Sequence, residues 1–150
     1  MIAAVDVQPR KILLATDLSS ASASATDEAF AMARRVGAEL LIVSVIDPAA
    51  LRLPGGRFLA RIDQVRAERE TVAQVLVRRG RADGLRVRFL VWEGDPAESI
   101  LEAAGAEDAE IIVLGSHARG RIGRILHGSV SRRVVREALV PVVVVPRDAS

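Results

Sequence analysis

The chain of 150 residues fits one ordinary domain and can bury a core without disulfide or metal staples. Half of it is apolar and 27% is charged, a globular balance, and the absence of cysteine excludes disulfide frameworks, thiolate zinc sites and cysteine nucleophiles. Net charge is +2 although the sequence pI is about 10.3; with no tyrosine, two histidines and one lysine, little titrates between the carboxylates and arginine, so the pI identifies no partner.

Met1 to Lys11 carries Asp6, Pro9 and Arg10 and no long apolar core, and no later stretch reaches the roughly 20 apolar residues of a membrane span. A soluble, cytoplasmic protein is expected. Lys11–Ala15 (KILLA) then reads as a short buried strand stopped by polar residues. The capping-rich turn Thr16-Asp17-Leu18-Ser19-Ser20 leads into a helix from about Ser20 to Val36. Its expected apolar stripe is Ala25, Ala29, Met32 and Val36, and Gly37 is its stop. Leu40–Ile46 is a second continuous apolar strand, closed by Asp47-Pro48.

Beyond a loop holding Pro54-Gly55-Gly56, the spacing predicts a long amphipathic helix from about Arg57 to Arg81. Its expected stripe includes Phe58, Ile62, Val65, Val72 and Leu76. Leu85–Trp92 alternates arginines with apolar residues, as suits a half-exposed strand near a sheet edge, and Trp92 is expected to pack at a strand end. Asp95-Pro96-Ala97-Glu98 reads as a helix start with Asp at N-cap, Pro at N1 and Glu at N3, the helix ending near Gly105. Glu110–Leu114 is a fourth strand, Ser129–Leu139 a fourth helix, and Val142–Val145 a last strand with a proline at each end.

Strands and helices alternate throughout, which implies one α/β domain: a five-stranded parallel sheet, right-handed crossovers and helices on both faces. Ligands of such sheets sit beyond the carboxyl ends of the strands, where strand order switches. The loops to search therefore follow strands one, two and four.

The segment after the fourth strand is the informative one. It runs from Gly115 to Ser129 and holds Gly115, Gly120, Gly123 and Gly128. Glycines let backbone N–H groups approach phosphate oxygens, and the following helix adds its dipole. From Ile111 through Arg136 there are six arginines and no carboxylate, +6 against a total of +2, so the remainder sums to −4. Such a focus favours a polyphosphate ligand, although it also reads as a solvated arginine face. Arg119 and Arg124 are the candidates for charge neutralisation.

Sharper enzyme signatures are missing. There is no G-x-x-x-x-G-K-[ST], no G-x-G-x-x-G after the first strand, and no lysine near the last strand of the kind a phospho-receiver needs. His117 and His127 lie ten residues apart with no carboxylate between them, a poor metal pattern read as loop packing. Nucleic-acid binding is disfavoured because aromatics for base stacking are nearly absent, at 3% of residues.

Four words of the sequence, KILLATDLS, GAELLIVSVIDP, IIVLGSH and LHGSVSRRVV, together resemble the universal stress protein family from Lys11 to Pro146. Its ATP-binding members carry G-x2-G-x9-G-[ST] between the fourth strand and fourth helix. Here that register reads Gly115, Ala118, Gly128-Ser129, so the second glycine is replaced by Ala118. The resemblance implies a Rossmann-like, adenine nucleotide alpha-hydrolase-like sheet of order 3-2-1-4-5 and a non-enzymatic, ATP-binding regulator in stress response, with Mg2+ accompanying the nucleotide. It implies that Ala15, Thr16, Asp17 and Val45 line the adenine and ribose side, Asp17 accepting a hydrogen bond. Gly115, Ala118, Gly128, Ser129 and Val130 would contact ribose and phosphates, with Arg119 beside them. The local alternatives are that Asp17 caps the first helix and Ser129 the fourth. A homodimer through Val142–Val145 is also implied, against the alternative of a buried central strand. Ala118 motivates a second reading, a nucleotide-independent dimeric scaffold, and slow ATP hydrolysis is a third.

Overall fold

A computed structural model describes residues 9–51, 58–116 and 128–147, with the backbone alone for 58–60. Five strands, β1 (Lys11–Ala15), β2 (Glu39–Ile46), β3 (Val87–Glu93), β4 (Ile111–Gly115) and β5 (Val142–Val145), form one sheet. Four helices, α1 (Ala23–Val36), α2 (Phe58–Ala82), α3 (Pro96–Ala106) and α4 (Ser129–Glu137), connect them, and 3-10 turns at Ser20–Ser22 and Pro48–Leu51 follow the first two strands. The strand order is β3-β2-β1-β4-β5 and each neighbouring pair is parallel. The expected α/β class, strand order and helical layers are all observed. The loop at 54–57 and the segment 117–127 lie outside the described residues, including Ala118, Arg119, Arg124 and both histidines.

Side-chain alternation divides the core in two. Ile12, Leu14, Leu40, Ile42 and Val113 face α1 and α2, packed on Ala25, Ala29, Phe30 and Ala33. Leu13, Ala15, Leu41, Val43, Ile112 and Leu114 face α3 and α4, packed on Ile100, Ala103 and Val134. The central strands are buried on both faces, so they read as uninterrupted apolar runs. β3, at one edge, keeps Arg88 exposed, and Trp92 packs on the α3–α4 side. β5 is the opposite edge, half-buried along its length, which decides against a central position.

Two helix stripes are shifted from expectation. The buried line of α1 includes Phe30 and Ala33, while Met32 and Val36 pack only in part. On α2 the inward residues are Ile62, Val65, Ala73 and Gly80, and Val72 is 45% exposed. The run Val75-Leu76-Val77 offers more than one apolar phase, and close packing selects the one that puts Gly80 inward. A Cβ on Gly80 would stand 2.9 Å from Phe30 Cε1 and closer still to Val87 Cγ2, so glycine here permits the helix to approach the sheet. α4 also stops two residues short of Leu139, with Ala138 already extended.

The start of α3 follows expectation. Asp95 accepts from the Glu98 backbone N–H at 3.0 Å, with Pro96 next in line. Its other duty is a 2.8 Å ion pair to Arg133 that ties α3 to α4. Asp95→Ala is expected to lower stability by about 1 kcal/mol through loss of the cap, read by urea unfolding; an unchanged midpoint would contradict this. No helix of the described residues is long and apolar enough to cross a membrane.

Candidate functional site

Strand order reverses between β1 and β4, and a cavity of about 640 Å³ opens over the carboxyl ends of β1, β2 and β4. Its size is that of a small-molecule site, and its position is where open parallel sheets bind ligands. Three local structures build it.

At the end of β1 the chain turns sharply. Thr16 N–H continues the ladder to the Val43 carbonyl at 3.0 Å, and its hydroxyl accepts from Leu18 N–H at 2.9 Å. Leu18 has a φ of 65°, a left-handed conformation that costs a leucine about 1–2 kcal/mol. Its side chain packs on the α1–α2 core, which offsets that strain. Asp17 Oδ1 accepts from Ser19 N–H and the Ser22 hydroxyl, each at 2.9 Å. Asp17 therefore braces the 3-10 turn before α1 and lines the cavity as well.

At the end of β2 the lining is Val45, Ile46 and Asp47, whose carboxylate accepts from Ala49 N–H at 2.9 Å. Arg69, from the middle of α2, also lines the cavity; its Nη1 donates to the Ser44 hydroxyl at 2.8 Å and the Val45 carbonyl at 2.6 Å. Sequence reasoning missed it. An arginine within a helix reads as a solvated face, and only its i+4 spacing before Ala73 hinted that it points inward.

Beyond β4 the lining comprises Gly115, Gly128, Ser129, Val130 and Ser131. Gly128, not Ser129, is the N-cap of α4, so Ser129 becomes the first helical residue and the alternative capping role falls away. A glycine cap supplies no side-chain acceptor, and the first turn holds no acidic residue. The first N–H groups of any helix lack intrahelical partners. α3 begins beside the same cavity, yet Asp95 caps it and Pro96 has no N–H to give. Of the two helix starts, α4 is therefore the one open to an anion.

Ala15, Thr16, Asp17, Val45, Gly115, Gly128, Ser129 and Val130 thus meet around one cavity, while Ala118, Arg119 and Arg124 lie outside the described residues. The arginine focus is weaker than the charge count suggested. Arg133 pairs with Glu137 at 2.7 Å and Asp95 at 2.8 Å, and the Glu137 hydrogen bond above all raises its pKa over the ordinary arginine value. Arg136 also approaches Glu137, at 3.8 Å. Among the described residues, Arg69 is the arginine that lines the cavity.

The profile of the universal stress protein family matches residues 9–146. A universal stress protein encoded in the QAH/OAS sulfhydrylase 3' region of Thermus aquaticus is 38% identical over 143 residues, covering 91% of this chain and 98% of its own. The solved structure of MJ0577, a universal stress protein of Methanocaldococcus jannaschii, superposes with a TM-score of 0.85 at 27% identity, covering 96% of this chain and 100% of its own. A universal stress protein of Archaeoglobus fulgidus, solved in complex with dAMP, superposes with a TM-score of 0.68 at 25% identity, over 93% and 99% of the two chains. The chain belongs to the universal stress protein family.

Proposed function

We propose that the cavity binds an adenine nucleotide, ATP with Mg2+ foremost, and that the protein is a cytoplasmic, nucleotide-responsive regulator in stress response rather than an enzyme. The observation that carries this reading is the start of α4 at the cavity, with a glycine cap and no carboxylate in its first turn. A phosphate chain suits those N–H groups of Ser129 and Val130, with Gly115 and Gly128 allowing close approach. Ala15, Thr16, Asp17 and Val45 would line the base and ribose. Ala118, Arg119 and Arg124 belong to the adjoining segment. The dAMP complex of the Archaeoglobus fulgidus relative supports a nucleotide as ligand class.

Among the described residues no cluster of three or more His, Asp or Glu could hold a metal ion. The cavity's carboxylates, Asp17 and Asp47, each brace a local turn, which favours a regulator over a hydrolase. A homodimer through β5 forms part of the proposal, since four consecutive valines on a sheet edge invite pairing.

Titration with ATP and Mg2+ is expected to give saturable binding that Gly128→Val abolishes. The φ of −59° at Gly128 is open to any residue, so valine obstructs approach without straining the backbone. Absence of binding at millimolar ATP would overturn this reading in favour of the nucleotide-independent scaffold that Ala118 motivates. Turnover above the buffer blank would overturn the non-enzymatic part.

A further inference from the structure

The sheet has two edges, and β3 is the longer of them, seven residues against four in β5. Its register with β2 runs unbroken from Val87 to Glu93, with no proline or glycine inside it. The Arg86 carbonyl accepts from Leu40 N–H, and Gly94 N–H donates to the Ile46 carbonyl. Even-numbered residues therefore turn their peptide groups to β2, while Val87, Phe89, Val91 and Glu93 turn theirs outward. Among the described residues, the one group bonded to that outward row is the Arg81 guanidinium, whose Nη2 donates to the Val87 carbonyl at a long 3.5 Å.

Sheet edges are ordinarily protected by charge, proline or a bulge. The stretch Phe89-Leu90-Val91-Trp92 is uncharged, regular and half-buried. It also holds two of the four aromatic residues of the chain, the residue type enriched where proteins meet.

Charge indicates the occupant. Arg81 stands at the start of the strand, and Glu93 closes it, its Oε1 in a 2.9 Å pair with Arg66. A carboxylate has acceptor room for a second arginine. A second copy of β3, antiparallel and centred on Leu90, engages all four outward residues of each strand. Phe89 then lies opposite Val91 of the other copy, a favourable aromatic and β-branched pair, and Val87 lies opposite Glu93. Arg81, already beside Val87, meets the Glu93 carboxylate of the other copy. A parallel strand would instead bring Arg81 against the basic end that carries Arg86 and Arg88.

We infer that β3 is a self-association edge, distinct from β5: two copies pair there antiparallel, and Arg81 leaves the Val87 carbonyl for the Glu93 carboxylate of the other copy. The inference goes beyond the nucleotide reading and does not depend on it. The segment leading into β5 also exposes Val135 and Leu139, apolar area that adds to pairing at that edge. An exposed ion pair contributes little by comparison, so β3 is expected to pair at higher concentration.

The test is sedimentation equilibrium of the full chain carrying Val144→Pro, which disables the β5 edge, from about 10 to 500 micromolar. A monomer at the low end and a dimer at the high end are expected. In that background Arg81→Glu, which sets two carboxylates against each other, is expected to raise the Kd about tenfold. The swap of Arg81→Glu with Glu93→Arg is expected to recover most of that loss, which no effect on folding would do. Val91→Pro removes an outward donor and is expected to abolish the dimer; Arg81 is exposed, so its variants decide the matter even where the proline variant fails to fold. A chain that stays monomeric throughout overturns the inference. So does a dimer that Arg81→Glu leaves unchanged or strengthens, or one that the swap fails to recover.

Discussion

Phe30→Ala is expected to destabilise the fold by about 3–5 kcal/mol, the range for truncating a fully buried phenylalanine. Phe30 is 0% exposed and is among the largest side chains in the core between the sheet and the α1–α2 layer. Its ring edge faces Gly80, and the Arg79 guanidinium lies 4.8 Å from the ring centroid, held also by Asp27 at 3.2 Å. Alanine would open a cavity that α2 cannot close, because Gly80 already sits against Val87. Set against a typical total of about 5–15 kcal/mol, such a loss leaves little reserve. Urea unfolding followed by circular dichroism measures it, with Phe30→Leu expected to lose less than alanine. A loss below about 1 kcal/mol for the alanine variant would mean that the helices re-pack freely around the gap.

Phe30 also marks where reading the sequence reached its limit. The strands were legible because parallel strands covered on both faces must be continuous apolar runs, as LLIVSVI and IIVLG are. Helix faces were harder. On α1, a stripe through Met32 and Val36 and one through Phe30 and Ala33 differ by a small rotation, and only packing against the sheet selects between them. On α2, Ile62 and Val65 are buried as expected and Leu76 packs in part, but Val72 is exposed and Ala73 and Gly80 turn inward instead, a choice set by the close approach at Gly80, which no periodicity reveals.

The site divides along the same line. Turn chemistry is local, so Thr16-Asp17 and Gly128-Ser129 stood out as residues that turn or cap a chain. Asp17 does hold a turn, and Gly128 proved to be the cap where Ser129 was the alternative. What was illegible was long-range. Arg69 lies 24 positions along the chain from Val45, and their hydrogen bond exists only because α2 crosses back over β2. The positive φ of Leu18 was hidden for a related reason, since the strain of that turn is offset by packing on a core built elsewhere.

The edge strand offers the second large expected effect, a change of assembly caused by one N–H group. The Pro141 and Val145 carbonyls accept from the N–H groups of Ile112 in β4 and of Ser116 just after it, each at 3.0 Å. Successive residues of a strand direct their peptide groups to opposite sides, so Val143 also faces β4, while Val142 and Val144 face the open edge. Proline lacks the N–H that a ladder uses. Val144→Pro would remove a donor from the open edge and leave the β4 ladder complete. Val143→Pro would remove a donor from that ladder and strand the β4 carbonyl it served, at about 1–3 kcal/mol. Both valines are half-buried and their side chains pack on opposite core layers, so lost side-chain packing is similar in the two variants. Light scattering is expected to show a dimer for the wild-type chain and a monomer for Val144→Pro at the same concentration. Unfolding is expected to show Val143→Pro as the less stable of the pair. A wild-type monomer at micromolar concentration would remove the dimer from the proposal, and a dimer that survives Val144→Pro would move its interface away from β5.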